Sequence, residues 1–480
     1  MIDTVALKTT IIDLAVSGKV SSQFHPSDSV SNIIDALPDV SSKRKKLLGQ
    51  SYEYGLQNTI PAHWMWIRLG EIASYGDSPT KASYDDVSND TWILDLEDIK
   101  SGGEIITKTR VHEKKFIGEK NVFIEGQVLY SKLRPYLKKV LVADEDGIST
   151  PELVSFSIFG GVLPQYIVYC LLSSFTNRAI DKRSYGIKMP RVDAGFMVNL
   201  PIPLPPVSEQ HFIVDQVQAA FSRIDTIDEL QTEYADNLTA LKSKLIDAAI
   251  QGKLTEQLTE DGTAEELYQQ IQTEKNRLSQ IGKTYREKGI KVISDNDIPY
   301  DIPDTWCWVR LGDLTTVITK GSSPSWQGVS YTSKEEGILF VTSENVGNGK
   351  MILSKKKYIE PKFNDMHPAS ILIKGDILTN LVGASIGRTA VYNEDTDNAN
   401  INQAVCIIRL VEREITNYLL LYLGSTTAID KMLHGSVDFA RANLSLTSVS
   451  NLMIPLPPLA EQKRIVQKLE EILPLCERIN

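Results

Sequence analysis

IPLPPVSEQ, residues 202–210, recurs as IPLPPLAEQ at residues 454–462, 252 positions later. Pro203, Pro205 and Pro206 forbid helix and hold the segment extended; Ser208 with Glu209 and Gln210 then starts a helix. From Val207 to Gln251 there is no Pro or Gly. Apolar residues fall at Ile213, Val217, Phe221, Ile224, Ile227, Leu230, Tyr234, Leu238, Leu241 and Leu245. That three- and four-residue spacing predicts one long helix with one buried stripe. About 43 residues at 1.5 Å each make a rod of roughly 65 Å, and so long a one-striped helix needs another helix to cover it. A further helix is expected at Thr263–Lys288, opening with a capping box from Thr263 to Glu266.

Two other phrases are doubled in the same order. IPAHWMWIRLGEI (60–72) returns as IPDTWCWVRLGDL (302–314), an offset of 242, and LKTTIIDLAVSGKV (7–20) as LKSKLIDAAIQGKL (241–254), an offset of 234. The offset grows slowly, as small loop insertions would make it. Three ordered matches of this length mean one unit used twice. The second copy's exit helix is short, running over 459–480 with Ile465, Leu469, Ile472, Cys476 and Ile479 on one face. In the two offsets Asn480 corresponds to Asp228 and Met1 to Ala235, so only Glu229–Tyr234 lack a counterpart. The repeat therefore reads as a ring opened inside a helix, with residues 1–20 and 459–480 expected end to end across a gap of about 9 Å. Pro474 stands where the first copy has Ser222, and a kink is expected there.

The expected fold class is α/β: two globular α/β domains joined by long antiparallel, coiled-coil-like helices, in a circular pseudo-two-fold repeat. A chain of 480 residues suits two domains plus connectors. No apolar run is long enough to span a bilayer, so no membrane partner is expected, and the periodic start reads as a helix rather than a signal peptide. Cys170, Cys307, Cys406 and Cys476 are far apart, without metal-ligand spacing, which suits reduced thiols in the cytoplasm. The net charge of −10 argues at first against a nucleic-acid partner. Its distribution reverses the argument: residues 208–304 hold 10 Lys and Arg against 19 Asp and Glu, while residues 100–139 hold 10 against 4 and residues 350–374 hold 6 against 2. Such local patches are what a phosphate backbone feels within a Debye length.

Together, DIPDTWCWVRLGDL, GDILTNLVGASIGRTAV (375–391), IPLPPLAEQKRIV and LKSKLIDAAIQGKL resemble the specificity subunit of type I restriction–modification systems, over essentially the whole chain. The resemblance implies a noncatalytic subunit with a target recognition domain in each globular block, one per half of a split site in double-stranded DNA. Helical regions would set the distance between half-sites and scaffold two methyltransferase subunits, which methylate adenine at N6. Restriction subunits would complete a cutting form. No cofactor is expected here; S-adenosylmethionine and ATP belong to the partner subunits. The expected layout is an N-terminal helix over 1–25 completing the distal helical region, recognition domains at 60–207 and 302–458, a central helical region at 208–290 and a distal helix at 459–480. The borders of the two units match while their interiors differ: GQVLYSKLRPYLKKV (126–140) sits where GDILTNLVGASIGRTAV sits in the second.

The residues themselves offer little chemistry. The only Pro-Pro pairs, 205–206 and 457–458, lack the polar and aromatic neighbours of an amino-group methyltransferase. No G-x-x-x-x-G-K-[ST] loop is present, and the six histidines are scattered. Asp98 followed by Glu113-Lys114-Lys115 makes a loose nuclease-like pattern, which reads more simply as a solvated basic surface. Phosphate contacts call for Lys and Arg, and base readout for Arg, Lys, Asn and Gln. Candidate DNA contacts in the first domain are Lys132, Arg134, Lys138, Lys139, Lys182, Arg183, Lys188 and Arg191. In the second they are Asn380, Arg388, Arg441 and Asn443, with Lys355, Lys356 and Lys357 on phosphates. A solvated charge run is the plainer alternative for any one of them. Trp64, Trp66, Trp306 and Trp308 alternate as in a strand and are expected to pack rather than to stack bases. A stand-alone DNA nuclease and a coiled-coil protein-binding adaptor are the competing functions.

Overall fold

The computed structural model describes residues 1–54, 59–186, 188–282, 290–294, 297–394, 398–434 and 443–478. It divides into two compact units, Met1–Thr232 and Glu233–Asn480. The division falls inside the stretch Glu229–Tyr234, which has no counterpart in the repeat.

In the first unit, helix α1 (Thr4–Val16) is capped by the Asp3 side chain, which accepts from the Ala6 N–H at 2.9 Å. Strands β1 (Met65–Arg68), β2 (Val128–Ser131), β3 (Val140–Val142) and β4 (Leu153–Phe156) follow, then helices α2 (Pro164–Leu172) and α3 (Ser174–Arg183). Strand β5 (Pro201–Leu204) leads into the 44-residue helix α4 (Val207–Ile250). The Trp-rich and Pro-rich phrases pair with each other: β1 and β5 run antiparallel, Met65 opposite Leu204 and Arg68 opposite Pro201. Between them lie a sheet of order β3-β2-β4 and a five-stranded sheet whose outer strands are Lys81–Ala82 and Thr109–Arg110. α1 runs antiparallel to the first half of α4. Ile2 N–H donates to Gln231, the Thr4 hydroxyl to Asp228 at 2.9 Å, Lys8 pairs with Asp225, and the Phe24 ring stacks on Phe212 at 4.7 Å.

The second unit repeats the plan. Helix α5 (Ala264–Gln280) precedes strands β6 (Cys307–Arg310), β7 (Thr315–Lys320), β8 (Ile377–Asn380), β9 (Thr389–Val391) and β10 (Val405–Leu410). Helices α6 (Thr416–Leu423) and α7 (Thr426–His434), strand β11 (Met453–Leu456) and helix α8 (Leu459–Arg478) complete it. β6 and β11 pair antiparallel in the register of β1 and β5, and the larger sheet has the order β7-β10-β8-β9. Ile465 and Leu469 of α8 pack with Leu245, Ile246 and Ala249 from the second half of α4. α8 continues as helix through Pro474.

The three doubled phrases meet at one buried point in each unit. Glu209, fully buried, accepts hydrogen bonds from Ser21 Oγ at 2.5 Å and Trp64 Nε1 at 3.0 Å, with His63 Nε2 at 2.8 Å. Glu461, equally buried, accepts from Trp306 Nε1 at 2.8 Å and from Thr255 Oγ1 and Gln257 Nε2, both at 2.9 Å. The following glutamine donates back to a proline carbonyl, Gln210 to Pro205 at 2.9 Å and Gln462 to Pro457 at 2.8 Å. Tyr166 and Tyr418 donate to the carbonyls of Pro203 and Pro455. Proline segments cannot satisfy themselves by a full ladder, and these side chains supply the missing donors. The helix-end glycines complete the point: Gly18 and Gly252 hold left-handed φ values of 73° and 72°, and an added Cβ would lie 2.4 Å from Pro61 Cγ and 2.3 Å from Pro303 Cγ. Gly252→Ala is expected to destabilise the second unit by about 1–2 kcal/mol from the left-handed strain alone. An unchanged urea midpoint would show that the proline moves aside at no cost.

Two expectations need adjusting. α5 has its capping box, with Thr263 accepting from Glu266 N–H at 3.3 Å, but it ends at Gln280, and residues 283–289 lie outside the described residues. It packs Ala264, Leu267 and Ile271 into the core around Leu311 and Leu314, so it belongs with the second globular block by packing. The stripe of α4 is covered toward its ends, while Leu230 is 58% exposed and Leu241 47% exposed. Trp64 and Trp306 are buried against Glu209 and Glu461, Trp66 packs on Phe175 and Trp308 on Tyr300, in line with a packing role.

Candidate nucleic-acid interface

The turn after β2 and the loop after α3 lie more than forty residues apart in sequence and side by side in space. Leu133 and Tyr185 each form a β-bridge with Arg191; Arg134 N–H donates to Pro190 O at 2.7 Å and Val192 N–H to Lys132 O at 3.2 Å. Lys132, Arg134, Lys138, Lys182, Arg183, Lys188 and Arg191 are thereby carried on one surface. Lys182 and Arg183 sit in the last turn of α3, where the helix dipole favours cations. Sequence reasoning did not single out three apolar neighbours that are exposed among them: Tyr136 at 51%, Tyr185 at 58% and Met189 at 51%. Their signal was the interleaving of charge with aromatic and apolar residues in LRPYLKK (133–139) and SYGIKMPR (184–191).

Glu152 stands within this surface. Arg191 grips it with two hydrogen bonds, at 2.9 and 3.2 Å, and Lys132 approaches to 4.0 Å. The Arg191 guanidinium holds the Glu152 carboxyl below its ordinary range. Lys139 turns inward, donating to the Leu96 carbonyl at 2.6 Å, and is corrected from a surface contact to a structural one.

Ion pairs also redistribute the basic window over residues 100–139. Lys100 pairs with Glu104, Lys108 with Asp144, Arg110 with Glu145, and Lys114 and Lys120 both with Asp95. Most of these acids lie outside the window, so counting along the chain overstated its free charge. Lys115, Arg134 and Lys138 are left without a side-chain partner among the described residues. The nuclease-like pattern dissolves in the same way. Asp98 accepts from Asp95 N–H, Glu113 from Arg110 N–H, and Lys114 is paired, so each serves its own turn. Among the described residues no group of His, Cys, Asp and Glu is placed to hold a metal ion.

In the second unit the corresponding turn follows β8. Val382 bridges to Asn443, as Leu133 does to Arg191, and Leu444 N–H donates to Leu381 O at 2.9 Å. Arg388 and Asn443 are exposed on it. Arg441 lies outside the described residues. Asn380 is corrected: as part of β8, flanked by β9 and β10, it is fully buried and donates to Ser343 O at 3.0 Å. The lysine triplet instead leads into Lys357–Ile359, an edge strand of a separate three-stranded sheet of this unit. Lys356 is paired with Glu394 and Lys357 with Glu344, while Lys355 is exposed.

The two surfaces present guanidinium and ammonium groups suited to phosphates and to the acceptor edges of bases. Burial pushes the thiols of Cys170 and Cys307 up to about 12, far from the nucleophilic range. No described helix is long and apolar enough to cross a membrane.

A family model described as the type I restriction modification DNA specificity domain matches residues 303–479. The type I restriction enzyme EcoEI specificity subunit of Escherichia coli is 23% identical, over 98% of this chain and 89% of its own length. The type I restriction enzyme MjaVIII specificity subunit of Methanocaldococcus jannaschii is 21% identical over 87% of this chain and 88% of its own. A solved structure from work on complex assembly and conformational transition of the type I R-M system shares the fold, with a TM-score of 0.59 and 22% identity over 88% of this chain and 93% of that one. The buried hub built from all three doubled phrases, the paired surface turns and these likenesses agree: residues 303–479 match a type I restriction modification DNA specificity domain, and nearly the whole chain is similar to type I restriction enzyme specificity subunits.

Proposed function

We propose that this chain is the noncatalytic reader of a methylation and restriction complex, with residues 60–207 and 302–458 each reading one half of a split DNA site. The observation that carries this is the matched pair of surface turns. Both are pinned by a β-bridge to the segment beyond a two-helix pair, and they carry different side chains. An equal frame with unequal filling suits an asymmetric bipartite target, and two readers joined through one continuous helix suit a fixed spacing.

The helices would hold two methyltransferase subunits. α1 against the first half of α4 and α8 against its second half form the same antiparallel pair, once in each unit. Such a pair can bind one kind of partner twice, and Val5 of α1, 74% exposed, is available for contact. S-adenosylmethionine, for adenine N6 methylation, and ATP, for restriction subunits, would be bound by the partners. The chain's own Pro-Pro pairs are committed to the hub, where Pro205 and Pro457 accept from Gln210 and Gln462.

The test is selection from a random-sequence duplex pool by the purified full chain, with and without its methyltransferase subunits. The assembled complex is expected to enrich a split sequence. Equal recovery of all duplexes would refute the reading.

A further inference from the structure

Only two non-glycine residues among those described have positive φ: Arg134 at 50° and Lys138 at 51°. They flank the short helical turn Pro135–Leu137 between β2 and β3. The left-handed region is unfavourable for side chains that carry a Cβ, and a bulky residue found there is a reason to look for function.

The second unit supplies an internal control. Its turn between β8 and β9 is equivalent residue for residue. Val128 pairs with Val142 as Ile377 does with Val391, and Leu133 bridges outward as Val382 does. All these equivalences share one offset of 249 positions. At that offset Arg134 corresponds to Gly383, with φ 67°, and Lys138 to Gly387, with φ 82°. The same backbone is thus built with glycine where no side chain is wanted and with two cations where the cost of the conformation is borne.

Nothing among the described residues explains that cost. The backbone of the turn is already fixed, by Arg134 N–H to Pro190 O, Lys138 N–H to Pro135 O and Gly102 N–H to Lys138 O. Glycine would keep all three bonds. Neither cationic head group has a partner among the described residues, although seven of the ten cations in the surrounding window are spent on carboxylates or a carbonyl. Both project from the surface that holds Lys182, Arg183 and the exposed ring of Tyr136.

We propose that Arg134 and Lys138 are sequence-specificity determinants of the first half-site, with Arg134 reading a guanine through its two major-groove acceptors. A guanidinium fork matches guanine O6 and N7 in a way that an ammonium does not. The second head, with bare glycines at these positions, reads its half-site without this device. This inference rests on the proposed DNA-reading function.

The experiment compares the full chain, assembled with its methyltransferase subunits, as wild type and as Arg134→Gly, Arg134→Lys and Lys138→Gly. Each is offered a randomised duplex pool, and thermal unfolding is recorded for each. Both glycine variants are expected to unfold no earlier than wild type, because glycine relieves the left-handed positions. Arg134→Gly and Arg134→Lys should each lose the guanine preference at one position of one half-site by about tenfold to a hundredfold, and Lys138→Gly should weaken selectivity within that same half-site. The other half-site stays as selective as before. Unchanged selectivity in all three variants, or a uniform loss of affinity for every sequence, would overturn the inference while leaving the reader function intact. A wild-type complex with no sequence preference would overturn both.

Discussion

Glu209→Ala is expected to destabilise the first unit by about 2–6 kcal/mol. The carboxylate lies fully buried with Trp64 Nε1 and Ser21 Oγ aimed at it. His63 is partly exposed and can turn to water, but the other two donors cannot, and each orphaned buried donor costs about 1–3 kcal/mol. Glu209→Gln keeps one acceptor and is expected to cost less. Glu461→Ala strands Trp306 and Thr255 and loads the same kind of penalty on the second unit. Hydrogen exchange during urea unfolding checks this: protection should fall first around β1 and β5 in Glu209→Ala, and around β6 and β11 in Glu461→Ala. Wild-type protection in both variants would mean that the hub is ornamental.

Deleting one turn from α4, Glu229–Thr232, is expected to change the preferred spacing between half-sites and leave their sequences alone. The deletion removes four residues near the middle of the helix, among them Gln231, which bonds to Ile2 just ahead of α1, shortening it by about 6 Å and rotating its second half by about 40°. At about 3.4 Å per base pair this corresponds to roughly two base pairs. Selection from pools that differ only in spacer length reads the shift directly. A variant that folds and keeps the wild-type spacing would show that the length of α4 does not set the distance.

Much of this architecture is legible in the sequence because packing that is used twice must be written twice. The proline exits, the tryptophans and the helix-end glycines stand out as doubled phrases. Their convergence on Glu209 and Glu461 does not, because partners such as Ser21 and Glu209 are nearly two hundred residues apart and a glutamate at a helix start reads as a cap. The surface was half legible. The segments around Arg134 and Arg183 stand out by composition, but composition does not tell a spent cation from a free one. Lys139 is tied to a carbonyl and Arg191 to Glu152, and Asn380 is enclosed by strands on both sides. The signal for Arg134 and Lys138 was present all along in the alignment of the two copies, as glycines at the matching positions. It gains meaning only when the backbone shows that both positions are left-handed.

The central claim is one frame filled in two ways. Mapping methylated adenines in DNA exposed to the assembled complex tests it most directly. Methylation is expected within a single bipartite motif whose two halves differ in sequence and sit at a fixed spacing. A motif with identical halves, a contiguous motif, or halves at variable spacing would contradict it.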